Sequence, residues 1–298
     1  MGNQNQICKI TDIFKKRGKT LSLEFFPPKE DSQLDSFFQV VEELIVLEPD
    51  FLSVTYGAGG STRDRTMEIS TELQDRYHIP IIHHITCAGH SKNQLIKILD
   101  LMKNNKIMNV LALRGDPPLG VKKWTPTADG FSYAYQLCDL LRTSYDGYFS
   151  YGVAGFPEGH PESPTKEIDA KFLKNKIEHG AEFVLTQLFY ENQFYYDYVS
   201  RLRNIGVTTR IIPGILPILN FKNAKNFSAF CGATITPRFH DVFEPINGDI
   251  AAMSKKGVEL AIDQCIDLLK NGAPGIHLYT LNKLNPIREI IQGLKDFL

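Results

Sequence analysis

Several polar side chains stand at the ends of apolar runs, where folding can turn them toward one cleft. In Leu21-Ser22-Leu23-Glu24-Phe25-Phe26 a carboxylate lies inside an apolar stretch. Period-2 alternation puts Ser22 and Glu24 on one face of an extended segment, with Leu21, Leu23 and Phe25 on the other. Burial disfavours the charged carboxylate, so the pKa of Glu24 is expected to rise, which suits a general acid. The competing reading is a carboxylate that caps a loop or pairs with a buried arginine. The same alternation directs Ser53 and Thr55 inward, then Ile82, His84 and Thr86, with His83 facing the opposite way. Gln187 closes the run Phe-Val-Leu-Thr-Gln, where a buried amide needs partners. His277 and Tyr279 end the last apolar run.

Arg114-Gly115-Asp116 follows Leu111-Ala112-Leu113. The glycine permits close backbone approach to a ligand, and the arginine offers a fork of donors to an anion. An ordinary turn with an internal ion pair would use the same residues. Gly155-Phe156-Pro157-Glu158-Gly159-His160-Pro161-Glu162 reads as a rigid loop with polar reach. Asp169 and Lys176 lie seven apart on one face of the next helix, which by itself fits solvated surface charge. His84, His160 and His277 with Glu24 and Asp116 suggest a metal site. The first apolar run lacks His-x-His, however, and adjacent His83 and His84 cannot face one ion, so no metal is expected. Paired carboxylates also suggest glycoside hydrolysis, but Trp124 is the chain's one indole, so sugar platforms are scarce.

These residues need elements to hold them. Strands are expected at 20–26, 51–55, 80–86, 108–113, 148–154, 182–188, 210–216 and 274–279. Helical spacing fills 32–47, 62–76, 91–104, 131–143, 165–179, 192–204, 221–231 and 254–270. Repeated strand–helix units imply an α/β fold with a parallel sheet, and eight of them fit a (β/α)8 barrel. An open doubly wound sheet would bring a glycine-rich phosphate turn after its first strand, where this chain has Phe26-Pro27-Pro28. The Pro/Gly-rich stretches 115–130, 155–164 and 232–249 read as loops rather than linkers. The expectation is one catalytic barrel domain over 1–298, with 1–18 an N-terminal extension leading into it.

The chain of 298 residues carries 33 Lys and Arg against 34 Asp and Glu, a net charge of −1, which argues against a nucleic-acid partner. It has no uninterrupted apolar run of about 18 residues, so no membrane span is expected. Its polar start is unlike a secretory signal. Five dispersed cysteines without Cys-x-x-Cys spacing suit a reducing cytoplasm.

Eight ordered blocks add a further layer. Ser22-Leu23-Glu24-Phe25-Phe26-Pro27-Pro28, Ser53-Val54-Thr55-Tyr56-Gly57-Ala58-Gly59-Gly60, His84-Ile85-Thr86-Cys87 and Leu113-Arg114-Gly115-Asp116 come first. Phe156-Pro157-Glu158-Gly159-His160-Pro161-Glu162, Thr186-Gln187, Pro213-Gly214-Ile215-Leu216-Pro217 and Tyr279-Thr280-Leu281-Asn282 follow. In these blocks the chain resembles the methylenetetrahydrofolate reductases, flavoproteins with a (β/α)8 catalytic barrel. The resemblance implies that NAD(P)H reduces bound FAD and leaves. 5,10-Methylenetetrahydrofolate then takes hydride from the same flavin face, giving 5-methyltetrahydrofolate for methionine supply by a ping-pong route. Opening the methylene bridge needs a proton on the leaving nitrogen, and Glu24 resembles the acid that supplies it. Asp116 resembles a second carboxylate near flavin and pterin.

The resemblance also implies FAD contacts at Thr55, His84, Arg114, Gly115, Asp116, Tyr133, Ala134, Ala154, Phe156, His160, Asp169 and Lys176. It implies folate contacts at Asp116, Gln187, Asn223, Phe227 and Lys283, with Gln187 shared by the nicotinamide, and it implies homo-oligomers. Phe156 stands where the family often has Tyr and lacks that hydroxyl. Lys283 stands where Arg is common and offers a point charge in place of a fork. The chain stops soon after the barrel, which implies a bacterial-type enzyme without a C-terminal regulatory domain. Two rival classes are a metal-dependent barrel hydrolase and a non-catalytic flavin- or folate-binding protein; the second would have no use for Glu24.

Overall fold

A computed structural model of the chain describes residues 7–56, 63–115 and 127–298. Among them are nine strands: β1 (Thr20–Phe25), β2 (Phe51–Val54), β3 (Ile81–Thr86), β4 (Asn109–Leu113), β5 (Ser150–Gly155), β6 (Phe183–Thr186), β7 (Arg210–Ile212), β8 (Gly214–Ile215) and β9 (Gly275–Tyr279). All pair in parallel, in the order β7-β6-β5-β4-β3-β2-β1-β9-β8. Only Pro213 separates β7 from β8. A proline has no N–H for a ladder, so the expected strand 210–216 is broken there. Its first half pairs with β6 and its second half with β9, which joins the two ends of the sheet. The result is the expected (β/α)8 barrel, with its seventh strand in two pieces.

The helices are α1 (Ile10–Lys16), α2 (Leu34–Ile45), α3 (Arg63–Tyr77), α4 (Lys92–Asn104), α5 (Ala134–Ser144), α6 (Lys166–Glu178), α7 (Asn192–Asn204), α8 (Phe221–Cys231), α9 (Pro237–Phe243), α10 (Ile250–Lys270) and α11 (Leu284–Leu294). Local signals set several starts. The Ser91 hydroxyl accepts from the Gln94 N–H while the Gln94 amide accepts from the Ser91 N–H, a capping box for α4. Thr165, Asn220 and Asp249 cap α6, α8 and α10 in the same sense. Helices α1, α9 and α11 add to the eight expected. In α11 the buried Ile287, Ile290, Ile291 and Leu294 keep the i, i+3, i+4, i+7 spacing of a packed helix.

Strand alternation divides the apolar residues into two layers. Leu21, Leu23, Phe25, Leu52, Val54, Val110, Val153, Val184 and Leu278 belong to the large core between sheet and helices. Phe51, Ile82, Leu111, Phe183, Leu185 and Ile212 fill the lumen, and Ile10 of α1 joins them. Helix α1 therefore plugs the lower mouth of the barrel. Phe14 packs edge-on to Phe51 and Phe183, at 6.2 and 5.7 Å between ring centres. Asn109 accepts from the Ile10 N–H at 2.8 Å, and Arg210 donates to the carbonyls of Phe14 and Arg17. Above this apolar plug the inward positions turn polar, so chemistry is confined to the carboxyl ends of the strands.

Candidate active site

Register brings the polar residues together. Glu24 lies beside Ser53 of β2 and Tyr279 of β9, and Ser22 lies beside His277. Glu24 is 6% exposed, and Ser22, Ser53 and His277 are fully buried. One carboxylate oxygen, Oε2, gathers three neighbours: His277 Nε2 at 3.4 Å, Ser53 Oγ at 3.5 Å and His84 Nε2 at 3.6 Å. Each histidine has its own serine. Ser22 Oγ and His277 Nδ1 share a hydrogen bond of 2.8 Å, and Ser53 Oγ and His84 Nε2 one of 2.6 Å. Burial pulls the His84 pKa down to about 4, only partly opposed by the Glu24 carboxylate, so His84 is neutral at pH 7. His83 faces outward as expected. It meets Ser70 at 2.9 Å, and burial lowers its pKa to about 3.

A second group forms where the loops after β4 and β5 meet. The Arg114 guanidinium grips Glu162 with both terminal nitrogens, at 2.5 and 2.8 Å. That bond holds the Glu162 carboxyl below the usual carboxylate range. His160 Nδ1 accepts from the Glu162 N–H at 3.1 Å, and its ring meets Phe156 edge-on at 4.6 Å. Burial, then the Arg114 charge, lowers the His160 pKa. Gly115 has φ +89°, and a Cβ there would lie 2.9 Å from Thr86 Cβ and 3.0 Å from Ala88 Cβ. The backbone at this turn thus requires glycine.

Behind β5, Lys176 Nζ donates to the Ala154 carbonyl at 2.7 Å, and Asp169 accepts from Ser163 at 3.0 Å. Asp169 is buried rather than solvated, and burial lowers the Lys176 pKa. The surface-charge reading of this pair is therefore replaced by an internal one: the two side chains brace the β5 loop. Gln187 closes β6, where its N–H donates to Gly155 at 2.7 Å and its side-chain oxygen accepts from Leu188 at 2.9 Å. The Thr55 N–H donates to the Phe25 carbonyl at 3.0 Å, next to the Glu24 strand end.

The remaining expected residues lie at the start of α5, on α8 and at the turn before α11. Tyr133 precedes α5, exposed and stacked on Tyr135, with Ala134 the first residue of that helix. Asn223 and Phe227 are exposed on α8, and Lys283 is exposed at the cap of α11. Asp116 lies outside the described residues. Parity puts Ser22 with Glu24 and directs Ser53 inward, whereas the sequence places His277 only at the end of the last apolar run, and no motif marks the three as one cluster. Nothing in the sequence paired Arg114 with Glu162, 48 residues away. Among the described residues, no group of three or more His, Cys, Asp or Glu is placed to hold a metal ion, and no helix is long and apolar enough to cross a membrane.

Comparison with known proteins bears on this arrangement. The methylenetetrahydrofolate reductase family profile matches residues 9–295. A rice protein named probable methylenetetrahydrofolate reductase (NADH) is 38% identical over 297 residues, covering 97% of this chain and 50% of its own length. The chain thus spans about half the length of such relatives. The Escherichia coli 5,10-methylenetetrahydrofolate reductase is 35% identical over 263 residues, covering 88% of this chain and 86% of its own. A Clostridium thermocellum structure, described as binding two copies of 5-methyl-5,6,7,8-tetrahydrofolic acid, shares the fold. Its TM-score is 0.65 at 17% identity, over 96% of this chain and 97% of that one. A match running through the barrel from α1 to α11, with relatives above 30% identity at both ends of the length range, carries one conclusion: the chain belongs to the methylenetetrahydrofolate reductase family, a family of oxidoreductases.

Proposed function

We propose that this barrel reduces 5,10-methylenetetrahydrofolate to 5-methyltetrahydrofolate in the cytoplasm, with FAD as carrier and NAD(P)H as reductant, in a ping-pong sequence. The observation that carries the reading is the buried Glu24 carboxyl at the carboxyl end of β1, held through one oxygen by two serine–histidine pairs. Five cysteines, all free, fit a reducing compartment.

The residues fit a flavin dinucleotide. Gly115 keeps the β4 turn open where a Cβ would close it, and Ala154 keeps the lumen wall low. Arg114 and Lys176 would supply cations for the diphosphate, Arg114 in place of its present bonds to Glu162. Asp169 suits a ribose hydroxyl, while Thr55, His84, Tyr133, Ala134, Phe156 and His160 complete the setting, together with Asp116. Bound flavin supplies the hydride relay between nicotinamide and the methylene carbon.

The protein supplies the proton and the order. Glu24 delivers a proton to the leaving nitrogen as the methylene bridge opens. His84, neutral at pH 7, is not a rival donor; it positions Glu24 through Ser53. Asp116 stabilises the developing cation. Gln187 offers an amide with donors and acceptors to nicotinamide and folate in turn. Phe227 stacks on the aromatic part of either ligand, Asn223 adds a polar contact, and Lys283 meets the folate carboxylate.

The test is the absorbance spectrum of the purified protein, followed under anaerobic conditions. The reading expects a flavin spectrum, bleached by NADH or NADPH and restored by methylenetetrahydrofolate. A colourless protein that neither binds FAD nor oxidises NAD(P)H would refute it.

A further inference from the structure

The segment Tyr279-Thr280-Leu281-Asn282 follows the last strand and has no role in the reading above. Its backbone is unusual. Leu281 and Asn282, neither a glycine, take φ of +47° and +55° in succession. Asparagine tolerates this region, whereas a branched leucine does so only when its surroundings compel it. The turn is closed by the Lys283 N–H donating to the Thr280 carbonyl at 2.9 Å.

What the turn holds is the end of β1. The Thr280 hydroxyl, 1% exposed, donates to the Glu24 carbonyl at 2.6 Å, and the Thr280 N–H reaches the same oxygen at 3.2 Å. The Asn282 N–H donates to the Thr280 hydroxyl at 3.0 Å, which orients it. The Asn282 amide then clasps Phe26 from both sides, accepting from its N–H at 3.0 Å and donating to its carbonyl at 2.8 Å. On the opposite edge the Thr55 N–H bonds Phe25. The residues after Glu24 are therefore fixed by side chains from a strained turn, beyond the last ladder pair of β1 with β9 at Glu24 and Tyr279. Lys283 leaves the same turn.

We infer that Thr280 and Asn282 are positioning residues: the strained turn after β9 sets the placement of Glu24 against the substrate. This rests on the reading of Glu24 as the proton donor. Strain kept at a site is informative when something else needs the geometry, and a misplacement of about 1 Å in a reacting group can cost about 10²-fold in rate.

The test is a double-mutant cycle between Asn282→Ala and Glu24→Gln, read in the two half-reactions of the flavin-loaded enzyme. Asn282→Ala is expected to slow flavin reoxidation by methylenetetrahydrofolate about tenfold or more, with flavin reduction by NADH within about twofold of native. In the Glu24→Gln background the same change should cost less than about twofold. Thr280→Val, which keeps the shape and loses the hydroxyl, should reproduce the effect if Asn282→Ala does not fold, and Thr280→Ser should restore the rate. Equal losses from Asn282→Ala in both backgrounds, or equal slowing of both half-reactions, would make the turn merely structural and overturn the inference. If Glu24→Gln alone leaves folate reduction unchanged, the reading of Glu24 falls and this inference with it. If Glu24→Gln is slow and the turn variants are not, only the inference falls.

Discussion

Lowering the pH from 7 to 5 should destabilise this protein through His83, and one substitution isolates the effect. His83 is 1% exposed between β3 and α3, and burial holds its pKa at about 3 against an ordinary 6.5. Between those values the unfolded chain binds a proton that the folded chain refuses, so stability rises with pH across the window and is lost as the solution is acidified. At pH 5 almost every unfolded chain carries the proton and almost no folded chain does, so His83 contributes a loss of about 2 kcal/mol relative to pH 7. The assay is urea denaturation of native protein and His83→Asn at both pH values. Asparagine has its own pH-independent cost, but that cancels when each protein is compared with itself. The native protein should lose about 2 kcal/mol more than the variant between pH 7 and 5. Equal losses would mean that His83 titrates normally and that water or an anion reaches it.

Gly115→Ala adds a Cβ at φ +89°, 2.9 Å from Thr86 Cβ; it should cost about 1–3 kcal/mol and lower flavin content, checked by thermal melting and absorbance. Arg210→Ala removes the donors to Phe14, Arg17 and Gly18; amide exchange in α1 should quicken, while exchange in α11 stays unchanged. On the proposed shared site for nicotinamide and folate, Gln187→Ala should slow both half-reactions; slowing of one alone would separate their sites.

The barrel is legible because short buried runs alternate with segments that keep the helical period. The apolar run through Pro213 predicts an unbroken strand at 210–216, and the proline breaks it because it cannot donate to a ladder. Helix α1 is not legible in the pattern, because its apolar residues Ile10, Ile13 and Phe14 span little more than one turn, and the reason for them lies in the lumen that they plug. Parity groups Glu24 with Ser22 and directs Ser53 and His84 inward, but only the register between strands brings His277 in as well and puts Glu24 within 3.6 Å of both histidines. Asp169 and Lys176 looked like surface charge because their partners, Ser163 and the Ala154 carbonyl, are set by the β5 loop and strand rather than by helix spacing. The Leu281–Asn282 backbone is invisible to pattern, since neither residue announces a positive φ as glycine would.

In the proposed reaction Glu24 supplies the proton that opens the methylene bridge. Stopped-flow measurement of Glu24→Gln, with the two half-reactions followed separately at the flavin, tests it directly. Flavin reduction by NAD(P)H needs no proton on a folate nitrogen and should stay within about twofold of native, while reoxidation by methylenetetrahydrofolate should fall by about 10²-fold or more, as for loss of a general acid. Equal slowing of both half-reactions, or reoxidation at the native rate, would contradict the account and place the acid elsewhere.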